Sequence, residues 1–231
     1  MQISEIFKSC QGEGVYAGLP TVFVRLSGCN LAMSGTSCSW CDTVYAQEYG
    51  GRKMSVAEVM KRVGELSDGC RRVCITGGEP LYQASGLRDL VDRLRFRDYF
   101  VEVFTNSTLE PPGWFFLVDS WVIDVKCPSS GVSEKCLKEW WLKVVRGKDL
   151  VKFVVATSGD LDYVVEALRL KRACVPVALS PMVPNCPDSL FGDVLISQRK
   201  WLQTVWGFCV EHDYRFSFQN HKLVFGNKRG V

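Results

Sequence analysis

Apolar runs rich in Val, Ile and Phe recur along the chain between stretches of a different rhythm. Thr21–Ser27, Arg72–Thr76, Val101–Thr105, Trp121–Val125, Val151–Ala156 and Val175–Leu179 are short and β-branched or aromatic, and they predict strands. Ser55–Leu66, Leu87–Phe96 and Leu161–Lys171 place apolar residues three and four positions apart, which predicts helices with one buried face. Ser55 with Glu58 matches a capping box at the start of the first of them. A further helix is predicted over Asp193–Val210, after a loop at Asn185–Gly192 that contains Pro187 and ends in glycine. From Tyr214 to Phe225 polar and apolar residues alternate, which predicts one or two terminal strands.

Strands alternating with helices predict parallel βα units. About six such repeats without a Gly-rich dinucleotide turn predict an α/β fold of the incomplete, partial TIM-like barrel type. The length of 231 residues predicts a single domain over 1–231, with a C-terminal extension over about 193–231. Barrel enzymes carry their chemistry at the C-terminal strand ends, and polar residues gather there in this chain. Gly28-Cys29 follows the first predicted strand and Thr76-Gly77-Gly78-Glu79-Pro80 the second. Thr105-Asn106 closes the third, Asp124-Val125-Lys126 the fourth and Ser180-Pro181 the sixth.

Composition narrows the partners. With 47% apolar and 23% charged residues the chain buries an ordinary globular core. A net charge of +3 without a dense Lys/Arg run leaves no footprint for nucleic acid, while a small anionic substrate is compatible with it. No apolar stretch is long enough to span a bilayer and the N-terminus lacks a signal-peptide core, so the expectation is a cytoplasmic protein without a membrane partner. In a reducing compartment eleven cysteines point to metal binding or buried thiols rather than to disulfides.

Cys29, Cys38 and Cys41 form a C-x8-C-x2-C loop of about 29–41 leaving a strand end. Cysteines three positions apart can share one metal centre, with the looped-out cysteine as a third ligand. A structural zinc normally closes with four ligands, whereas a four-iron cluster held by three cysteines keeps one iron open for a small molecule. Two plainer readings stand beside it: zinc completed by Cys10, His212 or His221, or three buried thiols without metal. Cys70, Cys74, Cys136, Cys174 and Cys209 lie in apolar or helical surroundings and read as buried small hydrophobes.

Taken together, these motifs resemble the radical S-adenosylmethionine superfamily, and within it the 7-carboxy-7-deazaguanine synthase family of queuosine and archaeosine biosynthesis. The resemblance rests on Gln11-Gly12-Glu13-Gly14, VFVRLSGCN leading into the cysteine loop, Trp40-Cys41-Asp42-Thr43, Thr76-Gly77-Gly78-Glu79-Pro80 and Thr105-Asn106. It extends through Asp124–Gly131, Lys152–Val155 and Gln219-Asn220-His221-Lys222. Two departures stand out: Met33 occupies the position of the second cysteine in the common C-x3-C-x2-C pattern, and Phe104 replaces the acid of the usual Glu-Thr-Asn-Gly element.

The resemblance implies a [4Fe–4S] cluster on Cys29, Cys38 and Cys41, and S-adenosylmethionine bound near Gly77, Gly78, Glu79, Asn106, Asp124 and Lys126. It further implies Mg²⁺ on Thr43, and a 6-carboxy-5,6,7,8-tetrahydropterin contracted to 7-carboxy-7-deazaguanine with loss of ammonia. Gln11, Gly12, Glu13, Gly14, Arg25, His221 and Lys222 would hold that substrate: a carboxylate accepts paired pterin N–H bonds, and a guanidinium holds an anion or stacks on the ring. The implied partners are an electron donor such as flavodoxin or ferredoxin and a second copy in a homodimer. Two rivals remain at this stage, a glycyl-radical activase and a zinc-stabilised binding module without catalysis.

Overall fold

The structure, a computed structural model, describes residues 1–144, 146–169, 175–184, 186, 190–226 and 228–230. The strands are β1 (Gln2–Cys10), β2 (Pro20–Leu26), β3 (Arg52–Lys53), β4 (Arg72–Gly77), β5 (Phe100–Thr105), β6 (Ser120–Lys126), β7 (Leu150–Val155), β8 (Val177–Pro181) and β9 (Arg215–Phe216). The α-helices are α1 (Asn30–Met33), α2 (Val56–Ser67), α3 (Ala84–Phe96), α4 (Ser158–Leu168), α5 (Phe191–His212) and α6 (Asn220–Phe225).

All the strands join one sheet in the order β3-β1-β2-β4-β5-β6-β7-β8-β9. From β2 through β9 neighbouring strands are parallel, while β1 is antiparallel to both β2 and β3. The sheet does not close: it ends in the two-residue strands β3 and β9, short edges that offer little backbone to a foreign strand. This is the incomplete barrel that the alternation of elements predicted. Each of the six predicted strands is present, its ends moved by one or two residues.

Successive strand residues point to opposite faces, and this parity divides the structure into a core and a site. One face of the central strands carries Trp121, Ile123, Val125, Val151, Phe153 and Val155 into the main core beneath the helices. The other face carries a smaller cluster of Val122, Leu150 and Ala178 with Phe104. The same inner face also carries Arg25, Cys74, Thr76, Asp124, Lys126 and Lys152, which line a cavity.

The helices form where their sequences direct. The Ser55–Glu58 capping box is present, Glu58 receiving the Ser55 backbone N–H at 2.7 Å while Ser55 Oγ accepts from Glu58 N at 3.2 Å. α3 sets Leu87, Leu90, Val91 and Leu94 fully inside the core, each contributing roughly 1.5–3 kcal/mol of transfer free energy. No helix among the described residues is long and apolar enough to cross a membrane.

Two expectations are corrected. Gln2–Cys10, unassigned from sequence, is a strand: its charged Glu5 and Lys8 interrupt the apolar run, and only Ile3 is fully buried. Tyr214–Phe225, expected to be one or two strands, contains the short β9 and then α6, so His221 and Lys222 stand on a helix. The cause is tertiary: Asn220 N–H bonds the Gly12 carbonyl at 3.0 Å, seating the first turn of α6 on the N-terminal loop. The tail of the predicted helix Leu161–Lys171, half of the loop Asn185–Gly192 and Cys174 lie outside the described residues.

Candidate active site

The C-terminal ends of the parallel strands surround a cavity of about 510 Å³, within the range typical of small-molecule sites. Cys29, Cys38 and Cys41 line one end of it. Cys29 leaves β2 with its N–H on the Gln47 carbonyl (2.8 Å). Between the first two cysteines the chain forms α1 and then turns at Gly35, which takes a left-handed conformation (φ +77) while Thr36 N–H returns to Leu31 O at 2.9 Å. Met33 is consequently exposed and faces solvent. The loop is then pinned to the far side of the sheet by Ser39, whose N–H and Oγ both donate to Ser130 O at 3.0 Å. Cys41 N–H closes onto Cys38 O at 3.3 Å.

Burial raises the Cys29 thiol above its ordinary value. Burial likewise pushes Cys38 up to about 11, against the pull of the Lys126 ammonium. Such thiols stay protonated until a cationic centre takes the place of their protons. Cys29 and Cys38, with Cys41 lining the same cavity, fit an iron–sulfur cluster, in which each thiolate binds its own iron. Among the described residues no three His, Cys, Asp or Glu side chains converge closely enough to hold a single ion.

Above the cysteines, β4 ends at Gly77 and Gly78. Gly77 has φ +142, and a side chain on Gly78 would run into the Gly28 and Ala46 backbones, so both glycines allow the end of β4 to meet the cysteine loop. Glu79 is fully buried and accepts from Asn106 N (2.7 Å), Leu81 N (3.0 Å) and Thr105 Oγ1 (3.0 Å). Expected from the resemblance to lie beside S-adenosylmethionine, it acts in this arrangement as a clamp between β4 and β5. Desolvation lifts its carboxyl to about 7 despite those three donors. Asn106 turns its amide toward the cysteine loop, donating to Asn30 Oδ1 at 3.1 Å and to Cys29 Sγ at 3.8 Å. Lys126 pairs with Asp124 at 2.8 Å; burial works against the ammonium, but Asp124 outweighs it and raises the lysine. Among the described residues Asp124 Oδ1 is buried without a hydrogen-bond partner, and Asp124 lines the cavity.

At the other end stands Glu13, in the loop after β1. Its carboxylate is ion-paired with Lys152 of β7 and accepts from Gln219 Nε2 at 2.9 Å. Burial alone would raise Glu13, but the Lys152 ammonium beside it holds it below the usual carboxylate range. The second Gln219 N–H reaches Asp42 Oδ2 at 3.0 Å, and Lys222 Nζ lies 3.6 Å from the same oxygen. Burial would raise Asp42 as well; Lys222, the Thr43 hydroxyl (2.8 Å to Oδ1) and Lys152 reverse that and lower it. His221 is lowered by burial more than its two carboxylate neighbours raise it, so it stays a neutral imidazole. Gly12 leaves the room His221 occupies: a side chain there would collide with Nδ1.

Gln11 lies deeper, donating to Glu102 Oε2 at 2.5 Å, and desolvation lifts Glu102 to about 7. Arg25 is committed to Glu5 at 2.7 Å and stacks near Phe7 and Tyr45, leaving a face of its guanidinium on the cavity. Gly14 donates its N–H to Ser217 Oγ (3.0 Å). The expected residues thus fall on one cavity, apart from Gly14, which sits behind it.

The sequence reading placed Lys152, Gln219 and Asp42 inside motifs of the resemblance but assigned no site role to any of them. Lys152 carried a signal: a lone charge inside the apolar run Leu150–Val155, at an inward parity position. Gln219 carried only its place in the motif Gln219–Lys222, and its contacts, 206 and 177 residues away, left no local trace.

Residues 24–124 match the family model described as the radical SAM superfamily. A 7-carboxy-7-deazaguanine synthase of Methanospirillum hungatei is 41% identical over 182 residues, 79% of this chain and 73% of that one. The protein of the same name from Thermoplasma acidophilum is 38% identical over the full length of both. Among solved structures, QueE from Escherichia coli aligns with a TM-score of 0.66 at 22% identity, covering 95% of this chain and 93% of the other. Streptococcus suis SuiB bound to S-adenosylmethionine aligns over 79% of this chain and 48% of its own, with a TM-score of 0.54 at 13% identity. These two likenesses concern the fold.

Proposed function

The chain belongs to the 7-carboxy-7-deazaguanine synthase family of radical S-adenosylmethionine enzymes, and from that premise we propose how its cavity performs the ring contraction of 6-carboxy-5,6,7,8-tetrahydropterin. The observation that carries this reading is that the three cysteines and the Glu13–Gln219–Asp42 group line one cavity.

Cys29, Cys38 and Cys41 would hold the [4Fe–4S] cluster, which when bound supplies the electron for reductive cleavage of S-adenosylmethionine. Asn106, donating toward Cys29 Sγ, would favour its thiolate form. The backbone after β4, brought against the cysteine loop by Gly77 and Gly78, would bind the methionyl end of the cofactor, while Glu79 keeps that backbone in place. Asp124 has an acceptor to spare for the cofactor, and its partner Lys126 holds it oriented.

Glu13, kept ionised by Lys152, would accept the amide and amino edge of the pterin. Arg25 would hold its ring or its anion, and His221 would face the same pocket as a neutral donor or acceptor. The Thr43 hydroxyl donates to Asp42 and so turns its lone pairs outward, toward a hard cation such as Mg²⁺ that the substrate carboxylate would also bind. A flavodoxin or ferredoxin as donor and a homodimeric assembly are proposed from the family resemblance.

The test is an anaerobic incubation of reduced, cluster-loaded protein with the tetrahydropterin, S-adenosylmethionine and Mg²⁺. Formation of 7-carboxy-7-deazaguanine and 5′-deoxyadenosine or methionine is expected. No deazaguanine from protein that carries its full iron would refute the reading.

A further inference from the structure

The segment Ser217–His221 runs alongside Gly12–Gly14, and the two are joined at each step. Ser217 Oγ takes the Gly14 N–H at 3.0 Å, Gln219 donates to Glu13 at 2.9 Å, and Asn220 N–H donates to Gly12 O at 3.0 Å. Gln219 also reaches Asp42, the residue that follows the last cysteine of the loop. A primary amide has two N–H groups, and here both are committed, one to Glu13 Oε1 and one to Asp42 Oδ2. With carboxylates on both sides, the amide nitrogen must face them. Gln219 and Glu13 are both buried, so water is kept from the bond between them, while Asp42 at the other side keeps a third of its side chain exposed (34%).

We propose that Gln219 is a positioning residue that sets the pterin-gripping carboxylate of Glu13 in register with the Asp42-Thr43 end of the cysteine loop. Ring recognition at one end and cation binding at the other are thereby coupled through one side chain. Charge accounts for the need. Glu13 and Asp42 are two anions, each with an ammonium beside it, Lys152 and Lys222, so the group is balanced and nothing but a neutral donor can bridge the carboxylates without adding charge. Gln219 supplies that bridge and fastens the C-terminal helix across the site. The inference rests on the functional reading above.

The test uses cluster-loaded Gln219→Leu, which loses both donors, and Gln219→Asn, which keeps the amide but is one methylene too short to span the two acceptors. In Gln219→Leu the KM for the tetrahydropterin is expected to rise at least about tenfold. The Mg²⁺ concentration for half-activation should rise with it, while iron per chain stays at the wild-type level. Gln219→Asn should show the same paired change in smaller degree. Hydrogen exchange, which needs no turnover, should quicken at Gly14 and across 217–222 in both variants. Unchanged KM, Mg²⁺ response and exchange would overturn the proposal, as would a change in KM alone. If wild-type protein makes no deazaguanine, the functional reading falls, and the exchange result still decides whether Gln219 fastens the two segments.

Discussion

The ammonium of Lys152 on β7 is ion-paired with the carboxylate of Glu13, 139 residues earlier in the chain, inside the protein. Both groups are almost fully withdrawn from water, so each depends on the other for its charge.

Lys152→Met should therefore destabilise the protein by about 3–5 kcal/mol at neutral pH, because it leaves the Glu13 charge buried without its partner. The sign is the same for both members. Glu13 is depressed, so its contribution is complete above the ordinary carboxylate range and fades as the pH falls through its lowered folded value. Lys152 is raised, so its contribution persists below the ordinary lysine range and fades only at more alkaline pH. Urea unfolding of Lys152→Met and of Lys152→Met with Glu13→Gln checks this. The second change should recover much of the loss, and an additive further loss would contradict the pairing.

Glu102 behaves oppositely. Its carboxyl is lifted to about 7 by desolvation, so the folded state takes up a proton that the unfolded state has already released between the ordinary glutamate value and that pH. Stability should fall as the pH rises from about 5 to 8, by roughly 3 kcal/mol for this group at full ionisation. Glu102→Gln should flatten that part of the curve. Denaturation midpoints at three pH values would show it, and an unaltered slope would rule it out.

Loss of a thiol should matter only on the cavity wall. Cys29→Ala, Cys38→Ala and Cys41→Ala are each expected to leave anaerobically reconstituted protein nearly free of iron and of the broad brown absorption of a cluster. Cys209→Ala, which removes a buried thiol bonded weakly to Arg215 O, should keep its iron. Equal iron in Cys38→Ala and Cys209→Ala would disprove the ligand assignment.

Thr43→Ala should retain the cluster and raise the Mg²⁺ requirement by about tenfold or more, since the change removes the one hydroxyl held by Asp42 at the loop end. A titration of activity against Mg²⁺ at fixed S-adenosylmethionine measures it, and superimposable curves would exclude the role.

Much of this architecture was readable from residue order because parallel strands buried on both faces are nearly continuous apolar runs, and these mark their own limits. The strand-end residues were legible for the same reason: once Trp121–Val125 is a strand, Asp124 and Lys126 must fall at its rim. What could not be read depends on long-range closure. Nothing local announces that Asn220 will bond Gly12, so the alternation after Tyr214 suggested a strand where the N-terminal loop imposes a helix. Glu79 shows a related limit: the motif gave its place at the strand end but not its commitment to Thr105 and Asn106, which come from the next strand.

The single turn of α1 and the left-handed turn at Gly35 fold the gap between Cys29 and Cys38 so that both still line one cavity, and Ser39 returns the chain to Ser130. Gap length is thus uncoupled from where the sulfurs stand. A pattern filter demanding a fixed interval between the first two thiols would discard this chain, whereas one keyed to where the loop departs and where it re-enters would retain it.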